Sequence, residues 1–372
     1  MTTRILYLIE SLAPSGVARQ LALAAEGLSR ADFDVRVVTI QAAPPERSAS
    51  IAAELAAAGI AVNDCGGRWP VDPRALLQLR RLMSAWQPEL IHSWDRTGGI
   101  YSHLALSAAA HARHVASRRT WTPAHTLPQL LDTLVVRSAA AVITSSEVLA
   151  AEWRKRGVPP EKLRVIASGV RQPPHSSVTR QELLAELKLP RHARLLGCIG
   201  QLTVDKRIKD VIWAADLLKV VRDDVHLLII GDGPHRARLE RFRDQVRIAD
   251  KVHFLGMRGD VARLLAHCDV LLAAGQTDFQ SSSILEAMAV GVPVVASDTR
   301  GHRELIASDM TGDLATLGDR AALTRLAMRV LDDAAVAGRL AAAAREHALS
   351  AFSSEQLTTE HADVYRDVLR AK

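Results

Sequence analysis

The sequence predicts an α/β protein built from two doubly wound domains, each a parallel sheet covered by helices on both faces. Three features carry that prediction. Short runs rich in Val, Ile and Leu alternate with longer Ala- and Leu-rich stretches of helical spacing. The short runs are apolar almost throughout, the pattern of strands buried on both faces rather than one. The alternation breaks at Pro173-Pro174-His175-Ser176-Ser177, a stretch of linker composition, and then begins again. A length of 372 residues fits two domains at ~100–200 residues each.

In the first domain, expected over 1–172, strands fall at 4–9, 35–40, 60–63, 90–92, 114–117, 141–144 and 164–167. Helical spacing occupies 17–30, 48–58 and 73–86. The run at 5–9 ends at Glu10, too short for the apolar part of a cleavable leader, and reads as a buried first strand. The second domain, expected over 173–352, has strands at 194–200, 226–230, 252–255, 269–272 and 293–296. Its helices are expected at 207–221, 235–247, 260–267 and 282–290. The stretch 353–372 reads as a helix that packs back against the first domain. Ligands of such folds sit outside the carboxyl ends of the strands, so two facing domains would bring those ends together across a cleft.

Hydrophobic residues make up 48% of the chain and charged residues 24%, a balance that excludes a disordered or fibrous protein. No apolar run approaches the ~20 residues of a membrane-spanning helix. Cys65, Cys198 and Cys268 are far apart and form no paired motif. That points away from a disulfide framework or zinc ribbon and towards a reducing, cytoplasmic setting. The net charge is +6, most of it on residues 1–170, which hold 19 Lys and Arg against 14 Asp and Glu. Such a surplus suits an ordinary solvated surface or peripheral contact with an anionic inner membrane face. No basic cluster is interleaved with aromatics, so a nucleic-acid partner is not expected. No Asp-x-Asp motif stands in a suitable loop, and no metal site is expected.

The stretch 275–297 is the most informative. A strand ends near Ala273, a loop carries Asp278 into Ser281-Ser282-Ser283, and a helix runs to about Val290. Gly291 suits its C-cap and Pro293 opens the next strand. Unpaired N–H groups at such a helix start form an anion site suited to a phosphate. Asp278 before the helix and Glu286 about one turn inside it are placed to line one pocket beside that site. Ordinary readings stand next to these. Ser283-x-x-Glu286 matches a capping box, and Asp278 matches an Asx turn. Asp205-Lys206-Arg207 reads as a solvated turn or as a cationic loop. Arg118-Arg119 reads as a surface pair or as a cation offered to an anionic ligand. Trp94 and Trp121, each just after a predicted strand, read as core or as acceptor-binding faces. His125, on the loop that follows, reads as an ordinary loop histidine.

The segment Asp278…Glu286-Ala287-Met288-Ala289-x-Gly291-x-Pro293-Val294-Val295-Ala296 resembles the donor-site signature of the family 4 retaining glycosyltransferases. That signature has two Glu residues with seven residues between them, then Ala-Met-Ala, Gly and Pro-Val-Val; here Asp278 stands at the first Glu. Gly231-Asp232-Gly233-Pro234 resembles the family's Gly-x-Gly-Pro turn. Residues 252–256 lead to Arg258 and Asp260, as in its nucleotide-base loop. Gly200-Gln201-Leu202-Thr203-Val204-Asp205-Lys206 is similar to the Gly-Arg…Lys loop that meets the diphosphate, with Gln201 at the Arg position and Arg207 where Gly is usual. Ser15-Gly16-Val17-Ala18-Arg19 resembles the glycine-rich turn after the first strand, with Val17 replacing a Gly. His92-Ser93-Trp94 keeps the first His of a His-x-His element, and Arg118-Arg119 occupies the region of a later His.

The resemblance implies the two-domain GT-B fold. It implies a metal-independent, retaining transfer of a sugar from a UDP- or GDP-linked donor to a hydroxyl on a glycan, lipid or small molecule, with no resident cofactor. The roles it implies are Glu286 on the ribose hydroxyls, Asp278 on the donor sugar and Lys206 on the diphosphate. Gly16, Arg207, Gly233, Arg258, Ser281, Ser282 and Ser283 are implied as further donor contacts. His92, Trp94, Arg119 and Trp121 are implied on the acceptor side. Two alternatives stay open: a nucleotide-sugar epimerase of the same fold, and a non-catalytic nucleotide-binding relative. The departures at Val17, Gln201 and Asp278 and the absent His motivate the second.

Overall fold

A computed structural model describes residues 2–31, 33–41, 45–69, 71–120, 127–172, 178–276 and 280–371, with the backbone alone at 45–49 and 127–129. The chain forms two compact units, Met1–Gly169 with Ser354–Lys372, and Val170–Ser353. The linker expected at 173–177 lies outside the described residues.

In the first unit the strands are β1 (Thr3–Ile9), β2 (Phe33–Gln41), β3 (Ala61–Gly67), β4 (Leu90–Ser93), β5 (Arg113–Arg118), β6 (Ala141–Thr144) and β7 (Leu163–Val165). Between them run α1 (Gly16–Ser29), α2 (Pro45–Ala57), α3 (Pro73–Trp86), α4 (Arg96–Ala105), α5 (Leu127–Ser138) and α6 (Glu147–Lys155). The sheet is parallel, in the order β3-β2-β1-β4-β5-β6-β7. β1 is buried from Ile5 to Ile9, as a strand covered on both faces must be. The winding reverses between β1 and β4, which pair from Ile5↔Leu90 to Leu8↔Ser93. That reversal opens a crevice at their carboxyl ends. Helices begin there with side-chain caps: Ser15 accepts the Ala18 N–H before α1, and Asp95 accepts the Gly98 N–H before α4. A Cβ at Gly98 would lie 2.6 Å from the Leu8 carbonyl oxygen, so α4 reaches β1 only because that side chain is missing.

The second unit begins with α7 (Arg180–Glu186). It continues through β8 (Arg194–Ile199), α8 (Ile208–Val221), β9 (Val225–Ile230), α9 (Arg236–Gln245), β10 (Val252–Gly256), α10 (Val261–Leu265) and β11 (Val270–Ala273). Then follow α11 (Ser282–Val290), β12 (Val294–Asp298), α12 (Arg300–Arg303), β13 (Asp313–Thr316), α13 (Arg320–Asp332) and α14 (Ala334–Ala351). This sheet is also parallel, in the order β10-β9-β8-β11-β12-β13, and its winding reverses between β8 and β11. The class and the parallel sheets are those the apolar alternation predicts. β13 was not expected from the sequence. It is a four-residue edge strand, defined by ladder bonds to β12 rather than by an apolar run.

The last helix, α15 (Ser354–Arg370), returns to the first unit, where Leu357, Ala362, Tyr365 and Val368 join the core beneath β1. A Cβ at Gly27 would lie 2.0 Å from Thr358 Oγ1, so α1 and α15 approach this closely only with glycine at 27. Among the described residues no helix is long and apolar enough to cross a membrane.

Candidate functional site

Two loops meet at the carboxyl ends of β8 and β11. Gly200 (φ +152°) turns the chain out of β8, and Val204–Lys206 forms one 3-10 turn that Arg207 ends in the left-handed region. The Gln276 N–H, beyond β11, donates to the Asp205 carbonyl at 2.9 Å. Lys206 therefore lies against two glycines. Cβ atoms at Gly275 and Gly200 would stand 3.9 and 4.0 Å from its Cδ. Among the described residues no ion pair engages its ammonium.

The turn at Gly231-Asp232-Gly233 props this loop. Gly200 donates to the Ile230 carbonyl, Leu202 to the Asp232 carbonyl and His235 to the Leu202 carbonyl, each at 3.0 Å. A Cβ on Gly231 would fall 2.0 Å from the Gly200 oxygen, and one on Gly233 2.7 Å from Leu202 N and O. Gly233 thus positions the Lys206 loop through backbone contact.

Ser281 is the N-cap of α11, yet its Oγ bonds Ser283 Oγ (2.9 Å) and makes no capping bond to the backbone. The first-turn N–H groups at Ser282 and Ser283 keep the positive end of the helix without that cap. The third helical position is Ile284, so Ser283 and Glu286 are not a capping box. Half-buried Glu286 sits in the second turn, and Gly291 (φ +85°) closes the helix. Asp278 lies outside the described residues.

In the first unit a cleft of about 280 Å³ opens beside the ends of β1, β4 and β5, with Glu10, Trp94, Asp95, Arg118 and Arg119 in its wall. Arg118 is buried and grips both oxygens of Asp132, with Nη2 2.6 Å and Nε 3.0 Å from Oδ1. Arg119, 6% exposed, donates through Nη1 to Ser168 Oγ at 3.3 Å and lies 5.5 Å over the Trp94 ring. Asp95 accepts the Glu10 and Gly98 N–H groups, each at 2.7 Å. Burial nevertheless pushes its carboxyl up to about 6.

The other candidate residues differ in their surroundings. His92 is fully buried: Nδ1 bonds Tyr365 OH (2.5 Å) and Nε2 bonds Ser117 Oγ (2.7 Å), which leaves no ring nitrogen for an acceptor. Burial holds it well below the usual histidine range, and therefore neutral. Trp94 is 1% exposed and stacks on His361 at 5.5 Å, so it is core that also borders the cleft. Arg207 gives Nε and Nη2 to Asp210 at 2.7 and 2.6 Å, a charge already committed. Arg258 is locked with Asp260, Glu186 and Arg263. Its neighbours hold the Asp260 carboxyl down to about 2. Gly16 is exposed at the first position of α1. Trp121 and His125 lie outside the described residues. Sequence reasoning missed Asp95 and Asp132. Asp95, one residue after Trp94 and ahead of a helix, carried a visible N-cap signal.

Two doubly wound parallel units, the second with a loop lysine and an uncapped helix start at its strand reversal, place a ligand crevice at the carboxyl ends of their strands. The family model for Glycosyltransferase Family 4 matches residues 14–171, and that for Glycosyl transferases group 1 matches residues 179–347. The chain belongs to these family 4 glycosyltransferases and has their GT-B fold. By family it is a glycosyltransferase. It is 32% identical over 190 residues to the N-acetyl-alpha-D-glucosaminyl L-malate synthase of Bacillus anthracis, a match that spans 51% of this chain and 49% of that protein. The 2-deoxystreptamine glucosyltransferase of Streptomyces kanamyceticus is 27% identical over 90% of each chain. In fold the chain is similar to Anabaena HepE, crystallised with UDP and glucose, at a TM-score of 0.86 and 20% identity over 98% of this chain and 100% of that one.

Proposed function

We propose that the second unit binds a nucleoside diphosphate sugar and that the sugar passes to an acceptor hydroxyl with retention at its anomeric carbon. The observation that carries this reading is Lys206, an ammonium with no ion-pair partner among the described residues, set between Gly200 and Gly275 at the β8–β11 reversal. The uncapped start of α11 follows on the neighbouring loop. HepE, the similar fold, was crystallised with UDP. As the bond from the sugar to the leaving phosphate breaks, negative charge grows on the phosphate. A fixed cation and helix amides meet that charge without reorganisation. Lys206 serves the diphosphate and Glu286 the ribose hydroxyls, with Asp278 on the donor sugar. The acceptor oxygen bonds to the anomeric carbon on the face the phosphate leaves, and its proton passes to the departing phosphate oxygen. The reaction then requires no protein base and no metal to neutralise the leaving group.

The test compares the rise in melting temperature with UDP, GDP and ADP for the full chain and for Lys206→Ala. A rise with one nucleoside diphosphate that Lys206→Ala largely abolishes supports the assignment; an equal rise in both chains overturns it. The anomeric configuration of the product, read by NMR, decides retention.

A further inference from the structure

We infer that Arg119 forms an anion-binding subsite in the first unit, for a carboxylate or phosphate group carried by the hydroxyl acceptor. That the anion belongs to the acceptor rests on the transfer reading above; the anion subsite itself stands on the geometry of the first unit. Arg119 is more than nine-tenths buried in the wall of the 280 Å³ cleft. Among the described residues its Nε and Nη2 have no hydrogen-bond partner, and the one bond it makes, from Nη1 to Ser168, is long at 3.3 Å. The carboxylates of the wall are engaged elsewhere. Asp132 is held by Arg118, Asp95 by two backbone N–H groups, and Glu10 accepts from the Thr97 hydroxyl. Burial lowers the guanidinium to about 10, and the groups that oppose the shift are Tyr365 and Tyr7, not a carboxylate.

A buried cation that the protein leaves without a counter-charge is costly in the free state. Such a group persists where binding returns that cost. The planar fork of arginine matches carboxylate and phosphate oxygens in a way a lone ammonium does not. Arg96 and Arg156 also border the cleft, so its wall holds four arginines against the three carboxylates Glu10, Asp95 and Asp132. The position is the strand reversal between β1 and β4, where such sheets bind ligands. The volume suits a small acid or phosphate ester rather than a polymer.

The experiment measures melting temperature in the full chain at constant ionic strength, with UDP saturating and with malonate, inorganic phosphate or chloride added. The wild type should show a saturable rise with malonate or phosphate beyond that with chloride; the stronger of the two identifies the acceptor group. Arg119→Gln should weaken that response roughly tenfold or more, and Arg119→Lys should keep part of it. Without ligands, Arg119→Gln should melt no lower than the wild type. A marked loss of stability would assign Arg119 a structural role and overturn the inference. So would a rise no greater than with chloride, or one that Arg119→Gln retains and Lys206→Ala removes. The response to UDP alone is scored separately. Its absence would sink the donor reading, while an anion response lost in Arg119→Gln would still establish the subsite.

Discussion

Lys206 and Arg207 are neighbours in the chain with different surroundings. Arg207 turns back to Asp210, which Arg320 also grips at 2.8 Å, while Lys206 stays without an ion pair beside two glycines. Lys206→Ala should lower kcat by roughly 100-fold or more with little change in melting temperature, checked by steady-state transfer assays. Arg207→Ala should instead cost about 1.5–3 kcal/mol of stability in urea unfolding, because the buried Asp210 loses a charged partner. Asp95 allows a prediction in pH. Its carboxyl is raised by burial from 3.8 to about 6, so it holds its proton more tightly folded than unfolded. Its contribution is present below the ordinary carboxylate range and is lost as pH rises through about 6. Asp95→Asn, which keeps a capping oxygen, should gain melting temperature relative to the wild type across that interval. An unchanged difference between the two chains would refute the shift.

At the scale of the element, the Lys206 loop is shaped by the Gly231–Gly233 turn packed against it. Gly233 has no room for a side chain because the Leu202 backbone occupies it. Gly233→Ala should cost about 1–3 kcal/mol in urea unfolding and weaken UDP binding in the same protein. A variant that loses affinity but no stability would show direct contact instead. The Gly-x-Gly-Pro pattern was legible before the fold was known, but the reason for its second glycine was not, since Leu202 is distant in sequence. The start of α11 makes a similar point. Ser283 and Glu286 have the spacing of a capping box, yet the helix begins two residues too early for them to form it.

For the whole molecule, the closing helix matters most. α15 brings Tyr365 to His92 and to Tyr7, whose hydroxyl lies 2.9 Å from that of Tyr365. It also lays His361 on Trp94. Residues more than 270 positions apart thus complete one buried polar chain in the first unit. Tyr365→Phe should cost about 1–3 kcal/mol in chemical unfolding, because His92 Nδ1 is left buried without its partner. A neutral result would mean that the chain rearranges to satisfy it.

The alternation of apolar runs determined the fold class and most strands, because burial on both faces of a parallel sheet imposes a local pattern. The signature around Glu286 determined the family, because its residues are consecutive. The short edge strand β13 escaped, since pairing with β12 rather than its own apolarity defines it. The tertiary structure alone decided which charges are free. Arg118 and Arg119 look alike in sequence, but only the fold sets Asp132 against the first and leaves two nitrogens of the second unbonded among the described residues. Neutralisation depends on groups brought within a few ångströms by folding, and chain separation carries no information about that distance.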